Sequence, residues 1–139
     1  LIQSGKVRFS SLQYLTVKPV QKSKYDSDND KIEVELDNYI LLSPNALPLD
    51  DKNKTLLENV IKEDPLSLIE YWSIDPDYDG EIFRSKWQDY RQNVANDNDP
   101  FRVIHKAELI IPKENRKRKI CVKAVDVFGF ESATVVEVE

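Results

Sequence analysis

The chain has 139 residues, of which 40% are hydrophobic and 9% aromatic, which is the size and composition of one folded domain with a single core. No stretch approaches the roughly 18 consecutive apolar residues that cross a bilayer, so the sequence predicts no membrane span. The formal net charge of −5 argues against a freestanding nucleic-acid binder, because phosphate neutralisation needs a surplus of Lys and Arg on one face.

The cysteine content and the first residues indicate a cellular context. Cys121 is the only cysteine, so no internal disulfide can form and a four-cysteine zinc site is impossible. The chain opens at Leu1 without an initiator Met and without the features of a signal peptide. We therefore expect a part of a longer protein of the reducing cytoplasm.

The amino-terminal part predicts a β-hairpin. Residues 31–39 alternate Ile32, Val34 and Leu36 with acidic residues, which is the period of a strand with one wet face. Residues 7–20 are the expected antiparallel partner, with a change of parity that predicts a bulge near Ser10 and Ser11. The polar stretch at residues 21–30 is predicted as the connecting loop.

One amphipathic helix is predicted next. Leu56, Leu57, Val60 and Ile61 recur at helical spacing within residues 50–64, with Asp50 or Asp51 as the N-cap and Pro65 beyond the end. Two prolines in residues 42–49 predict an extended connector before this helix.

The remaining sequence predicts strands only. Short segments rich in Val, Ile, Tyr, Trp and Phe are separated by turn signals, with a second polar loop at residues 92–100. The predicted strands are residues 68–74, 81–90, 102–111, 119–128 and 134–138. Together they favour an immunoglobulin-like β-sandwich at residues 66–139, preceded by the hairpin and helix of residues 1–65 and packed with them as one unit. The expected centre of its core is Trp72, Phe83, Trp87 and Val122.

Three segments of the last part carry a family resemblance. They are Ile69-Glu-Tyr-Trp72-Ser-Ile-Asp75, Phe83-Arg-Ser-Lys-Trp87-Gln-Asp-Tyr90-Arg91 and Val122-Lys-Ala-Val-Asp126-Val-Phe128-Gly129. In order and spacing they resemble the carboxy-terminal region of bacterial adenine-specific DNA methyltransferases of type III-like restriction-modification systems. The resemblance implies a parent protein that transfers a methyl group from S-adenosylmethionine to adenine N6. It also implies a restriction or helicase subunit as a partner.

The resemblance does not extend to the residues of the chemistry. Such enzymes need an Asp-Pro-Pro-Tyr-like loop, whereas Asp75-Pro76-Asp77-Tyr78 lacks the second proline. The three glycines of the chain form no glycine-rich loop for the methyl donor. We therefore expect no catalytic residue and no cofactor here, and we interpret the chain as an accessory domain that contacts the rest of the parent, its partner or the DNA backbone.

A second resemblance leaves another function open. Residues 119–135, with Ala124-Val-Asp126, are similar to the last hairpin of fibronectin type III and polycystic-kidney-disease-like domains. Both resemblances imply an immunoglobulin-like sandwich. The second implies a binding module of a surface or secreted protein, and fold alone does not choose between the two.

Asp75, Asp77 and Asp79, followed by Gly80, reproduce the first half of a calcium-binding loop. Lys86 stands where that loop needs its bidentate Glu, so the alternative is a polar turn in which Gly80 adopts an unusual backbone angle. Asp26, Asp28 and Asp30 also alternate, and we interpret them as part of a solvated loop.

Five basic residues form the candidate nucleic-acid contact: Lys113, Arg116, Lys117, Arg118 and Lys119. A basic loop can bind the phosphate backbone, or it can keep a sheet edge soluble and unpaired.

Tyr90 and Arg91, at the end of a predicted strand, are candidates for a partner-binding patch. His105 has no second His or Cys nearby and is expected to be a partly exposed strand residue. Cys121 lies between Ile120 and Val122, which predicts a buried, unreactive thiol.

Overall fold

The computed structural model describes residues 13–41, 49–91 and 103–138. These residues form two antiparallel sheets, one α-helix and a short 3₁₀ helix at Pro65–Leu68. The elements are β1 (Gln13–Val17), β2 (Gln21–Lys24), β3 (Asn29–Leu41), α1 (Asp51–Glu63), β4 (Ile69–Asp75), β5 (Trp87–Tyr90), β6 (Lys106–Pro112), β7 (Arg118–Asp126) and β8 (Glu131–Val138). The predicted fold class, mostly β with one helix, is confirmed.

The first sheet is organised around the long strand β3. β1 and β2 pair successively with β3, and β6 pairs with it as well, all of them antiparallel. The predicted pairing of the two amino-terminal strands is confirmed for β1, whose register shifts between Thr16 and Val17. The bulge predicted near Ser10 and Ser11 lies outside the described residues.

The polar stretch at residues 21–30 is not a single loop, and that prediction was wrong. Gln21–Lys24 form the edge strand β2, and Asn29 and Asp30 already belong to β3. The four residues of β2 are all exposed, so the strand has no buried face and no hydrophobic alternation. The Asp26 carboxylate accepts hydrogen bonds from the backbone N–H groups of Asp28 and Asn29 at 2.9 and 2.8 Å, which closes the short turn between the strands.

The second sheet has the strand order β5-β4-β7-β8. β1 and β2 together therefore take the position of strand A of an immunoglobulin-like sandwich, β3 takes that of strand B and β6 that of strand E. The second sheet takes positions C′, C, F and G. Helix α1 lies in the connection between β3 and β4. The first sheet combines strands from both predicted parts of the chain, because β3 precedes residue 65, β6 follows it, and the two strands pair.

The core lies between the two sheets. Trp72 and Val122 are fully buried, as expected, and Trp87 is partly buried with its ring centroid 4.6 Å from that of Trp72. The Trp72 indole donates a hydrogen bond to the Ile104 carbonyl at 2.8 Å, so this large side chain is buried with its polar group satisfied.

The prediction that Phe83 lies at the centre of the core was wrong, because this residue lies outside it. The predicted strand at residues 81–90 begins only at Trp87, and residues 76–86 form the β4–β5 loop. Carboxylates of Asp75 and Asp79 accept hydrogen bonds from backbone N–H groups in this loop, so those groups are not available for a sheet ladder.

Helix α1 begins as predicted. The Asp50 carboxylate accepts a hydrogen bond from the Asn53 backbone N–H at 2.8 Å, which is the contact of an N-cap. Leu57 is the buried residue of the helix, and Pro65 opens the 3₁₀ helix that leads into β4. In the described parts of the chain, no helix is long and apolar enough to cross a membrane.

Candidate interaction surface

The predicted basic patch is largely occupied by acidic side chains of the same chain. Lys113 Nζ lies 2.7 Å from Asp30 Oδ1, and Arg118 Nη1 lies 2.7 Å from Asp77 Oδ1. Arg118 is buried, and its guanidinium also donates to the Pro112 carbonyl. These two cations hold the ends of β6 and β7 in place.

The other basic residues of this loop are more exposed. Arg116 pairs with Glu114 and lies 3.5 Å from an Asp77 carboxylate oxygen, and Lys117 lies 3.8 Å from Glu137. Lys119 is exposed, and its backbone carbonyl accepts a hydrogen bond from the Tyr78 N–H at 3.0 Å. A phosphate would therefore compete with carboxylates at four of the five predicted positions.

The three predicted metal ligands have separate structural partners. Asp75 is buried and accepts hydrogen bonds from the backbone N–H groups of Asp77 and Arg84 at 3.0 and 2.8 Å. Asp79 accepts from two further backbone N–H groups and from the Arg84 guanidinium. Arg84 and these amides hold the pKa of Asp79 well below its usual range. Asp77 binds Arg118, so the three carboxylates do not share a centre.

The turn predicted at this position is present, since Gly80 has a φ of 95°. Among the residues that the structure describes, no group of three His, Cys, Asp or Glu is placed to hold a metal ion.

The remaining buried carboxylates stabilise the fold. Asp126 accepts a hydrogen bond from the Tyr39 hydroxyl, and Asp89 accepts one from the Ile104 backbone N–H at 2.7 Å. Burial, together with the neighbouring Asp126, raises the pKa of Tyr39 far above its ordinary value. Both carboxylates accept hydrogen bonds that stabilise the fold, and they do not form an acid–base pair in a cleft.

Cys121 lies buried in a strand as predicted, whereas His105 is partly exposed as predicted but lies in a bend before β6 rather than in a strand. Cys121 lies buried in β7, and burial raises the pKa of its thiol, which keeps it in the unreactive protonated form. His105 is half-buried just before β6, and its backbone carbonyl accepts a hydrogen bond from the Leu36 N–H at 2.7 Å.

Two tyrosines lie side by side on the outer surface of the second sheet. Tyr71 in β4 and Tyr90 in β5 are direct cross-strand partners, and they are 44% and 51% exposed. Tyr71 is also the partner of Val125 in β7, which is half-buried. Directly opposed residues of antiparallel strands project from the same face of a sheet, so the three side chains form one row. We call Tyr71, Tyr90 and Val125 the tyrosine face.

The β4–β5 loop leaves this row open. Phe83 in the loop lies beneath the Lys123 ammonium, whose Nζ is 4.8 Å from the centre of the ring. Lys123 pairs with Ser73, one step along the sheet from the row of Tyr71. The loop thus packs on the sheet beyond the tyrosine face, at the end of β4 that carries Asp75.

Arg91, the second residue of the predicted partner patch, is held by the neighbouring strand. Its backbone N–H donates to the Glu70 carbonyl at 2.9 Å, and its guanidinium lies 3.8 Å from the Glu70 carboxylate. The structure therefore brings Tyr90 together with Tyr71 rather than with Arg91.

Sequence reasoning missed Tyr71 because of an irregularity in β4. The register between β4 and β7 shifts between Ile69 and Tyr71, which leaves Glu70 without an opposing residue. Alternation counted from the buried Ile69 predicts a buried Tyr71, whereas alternation counted from Trp72, which was expected in the core, predicts an exposed Tyr71, as found. The only signal of this irregularity in the sequence is that the apolar residues do not all alternate: Ile69 is at an odd-numbered position, whereas Trp72 and Ile74 are at even-numbered ones.

Comparison with known proteins does not assign the chain. No family model matches it, and no curated protein and no solved structure matches it either.

Proposed function

We propose that this chain is a non-catalytic interaction module that binds another protein surface through its tyrosine face. The observation that carries the proposal is the pairing of Tyr71 with Tyr90, two large aromatic side chains that stand half-exposed next to each other. Tyrosine supplies a large contact area at a low cost in side-chain entropy, and it is enriched where proteins bind one another.

The buried polar residues support binding rather than catalysis. Asp75, Asp89 and Asp126 accept hydrogen bonds from backbone N–H groups of loops and turns, and Asp126 also binds the Tyr39 hydroxyl. An acid–base catalyst has to be within reach of a substrate proton, whereas these groups are used to fix loop conformations.

The proposed parent is an adenine-specific DNA methyltransferase of the cytoplasm. Each of the three segments that resemble that family contributes one residue to the tyrosine face: Tyr71, Tyr90 and Val125. The surface would then hold the rest of the parent chain or a restriction or helicase subunit. S-adenosylmethionine and the target adenine would bind in the part of the parent upstream of this chain.

The test replaces both tyrosines in the parent protein, as Tyr71→Ser with Tyr90→Ser, and measures assembly by sedimentation velocity. We expect the compact or multi-subunit species to be lost. The matched control is Tyr14→Ser with Tyr25→Ser, which removes two exposed tyrosines outside the tyrosine face and should leave assembly unchanged. Equal assembly of both double variants would contradict the proposal. The isolated chain, mixed with S-adenosylmethionine and duplex DNA, should methylate no adenine.

A binding module of fibronectin type is the second candidate, favoured by the strand order of the two sheets. The amino-acid sequence of the parent polypeptide distinguishes the two candidate functions. An Asp-Pro-Pro-Tyr-like loop and a methyl-donor loop upstream support the methyltransferase. A signal peptide and repeated β modules support the surface or secreted protein, which would also bind its partner through the tyrosine face.

A further inference from the structure

Strand β6 presents one edge that no described strand covers. It pairs with β3 on one side, and the ladder continues at both ends, where the Leu36 N–H donates to His105 and the Lys113 N–H donates to Asp28. In an antiparallel pair, hydrogen-bonded residues alternate with residues whose backbone groups point away. The register therefore directs the backbone N–H and C=O of three residues of β6 away from β3: Lys106, Glu108 and Ile110.

A groove runs along this edge. It has a volume of about 490 Å³ and lies between β6 and the end of the β4–β5 loop. Its apolar lining includes Trp87, Leu109 and Ile111. Its charged lining is Asp77, which binds Arg118, Glu108, which lies 3.1 Å from Lys31, and Lys86. A strand added beside β6 would direct alternate side chains into this groove, because successive side chains of a strand point to opposite faces of the sheet.

The charge of Lys86 indicates the chemistry of the incoming strand. Lys86 lies in the groove lining, and its ammonium makes no ion pair with the residues that the structure describes. An acidic side chain of an incoming peptide would complement it.

We propose that the outward edge of β6, which no described strand covers, binds an extended peptide segment of another protein as an added strand. Backbone hydrogen bonds to Lys106, Glu108 and Ile110 provide the pairing, apolar side chains at alternate positions enter the groove, and a carboxylate lies near Lys86. This site involves the edge of the first sheet, and it does not depend on the tyrosine face or on the identity of the parent.

The test uses a displayed library of random nonapeptides, selected on the whole chain, and measures the synthetic winners by fluorescence polarisation. We expect peptides with apolar residues at alternate positions and an acidic residue. Ile110→Pro removes one outward N–H while leaving the ladder to β3 intact, so it should weaken binding at least tenfold. Ile110→Ala, which keeps that N–H, is the matched control. Lys86→Glu should also weaken binding.

A second measurement does not depend on the folding of a variant. N-methylation of the peptide amides that face β6 should abolish binding to the unmodified chain, and methylation of the alternate amides should have little effect. The proposal is overturned if no peptide is enriched, which is the result expected if a segment of the chain itself covers the edge of β6. It is also overturned if the selected peptides bind Ile110→Pro and both methylated series equally well, or if Tyr71→Ser is what removes their binding.

Discussion

Tyr39 Oη lies 2.6 Å from Asp126 Oδ2, and this hydrogen bond joins the two sheets through the core. The other oxygen of Asp126 accepts from the backbone N–H groups of Phe128 and Phe130, each at 2.9 Å. One buried carboxylate therefore attaches β3 to the turn that connects β7 and β8. Asp126 lies in β7, the strand that also carries Val125 of the tyrosine face. The contact therefore helps to hold this part of the second sheet in place.

Replacing Asp126 with Ala should destabilise the domain strongly. The change leaves the Tyr39 hydroxyl and two backbone N–H groups without their acceptor, and we expect a loss of about 2–4 kcal/mol in the free energy of unfolding. Urea denaturation followed by tryptophan fluorescence measures it. Tyr39→Phe, which removes only one of the three bonds, should cost about 1 kcal/mol. Equal losses for the two variants would show that the turn does not depend on the carboxylate.

High pH should unfold the domain as Tyr39 ionises. The pKa of Tyr39 is raised in the folded state, so the neutral hydroxyl is favoured there and its contribution is complete below the ordinary tyrosine pKa of about 10. That contribution is lost as the pH rises above this value. Absorbance at the tyrosinate band should show one phase that coincides with unfolding, and Tyr39→Phe should lack it. An unchanged late phase in the variant would contradict the assignment.

Low pH should weaken the exposed ion pairs of the loops. Lys113 lowers the pKa of Asp30, and Arg84 lowers that of Asp79, so both carboxylates favour the folded state when ionised. Their contribution is present above the ordinary carboxylate pKa of about 4 and is lost as the pH falls below it. The urea midpoint should fall with pH in this range, and Asp79→Asn should reduce the slope. A parallel slope in that variant would exclude Asp79 as a contributor.

Gly129 should not tolerate a β-carbon without strain. Its φ of 87° lies in the left-handed region, although a Cβ there would meet nothing within 4 Å. The cost of Gly129→Ala is therefore backbone strain alone, about 1 kcal/mol by thermal or urea unfolding. Gly129→Asn should cost less, because asparagine adopts this conformation more readily. A neutral Gly129→Ala would mean that the turn relaxes to another conformation.

The regular alternation of the strands made most of the fold predictable. Ile32, Val34 and Leu36 in β3 are buried with period two, and the Asp50 cap marks the start of α1, so both elements follow from local rules. The pairing of β6 with β3 is a contact between distant segments, and nothing in either strand specifies it. The sequence did not reveal β2, because an edge strand without a buried face has no hydrophobic period.

The candidate surface was predictable only in part. Tyr90 was identified at its strand end, whereas Tyr71 was hidden by the register shift at Glu70. The basic residues near Arg118 were recognised as a cluster, but their partners Asp30 and Asp77 are distant in sequence, so the ion pairs were not foreseen.

Hydroxyl-radical footprinting of the isolated chain and of its parent protein tests the central claim most directly. We predict that Tyr71 and Tyr90 are oxidised in the isolated chain and protected in the assembled parent, whereas Tyr25, which is 58% exposed in the turn between β2 and β3, is oxidised equally in both. Equal oxidation of Tyr71 and Tyr90 in the two samples would contradict the proposal that the tyrosine face is an interaction surface.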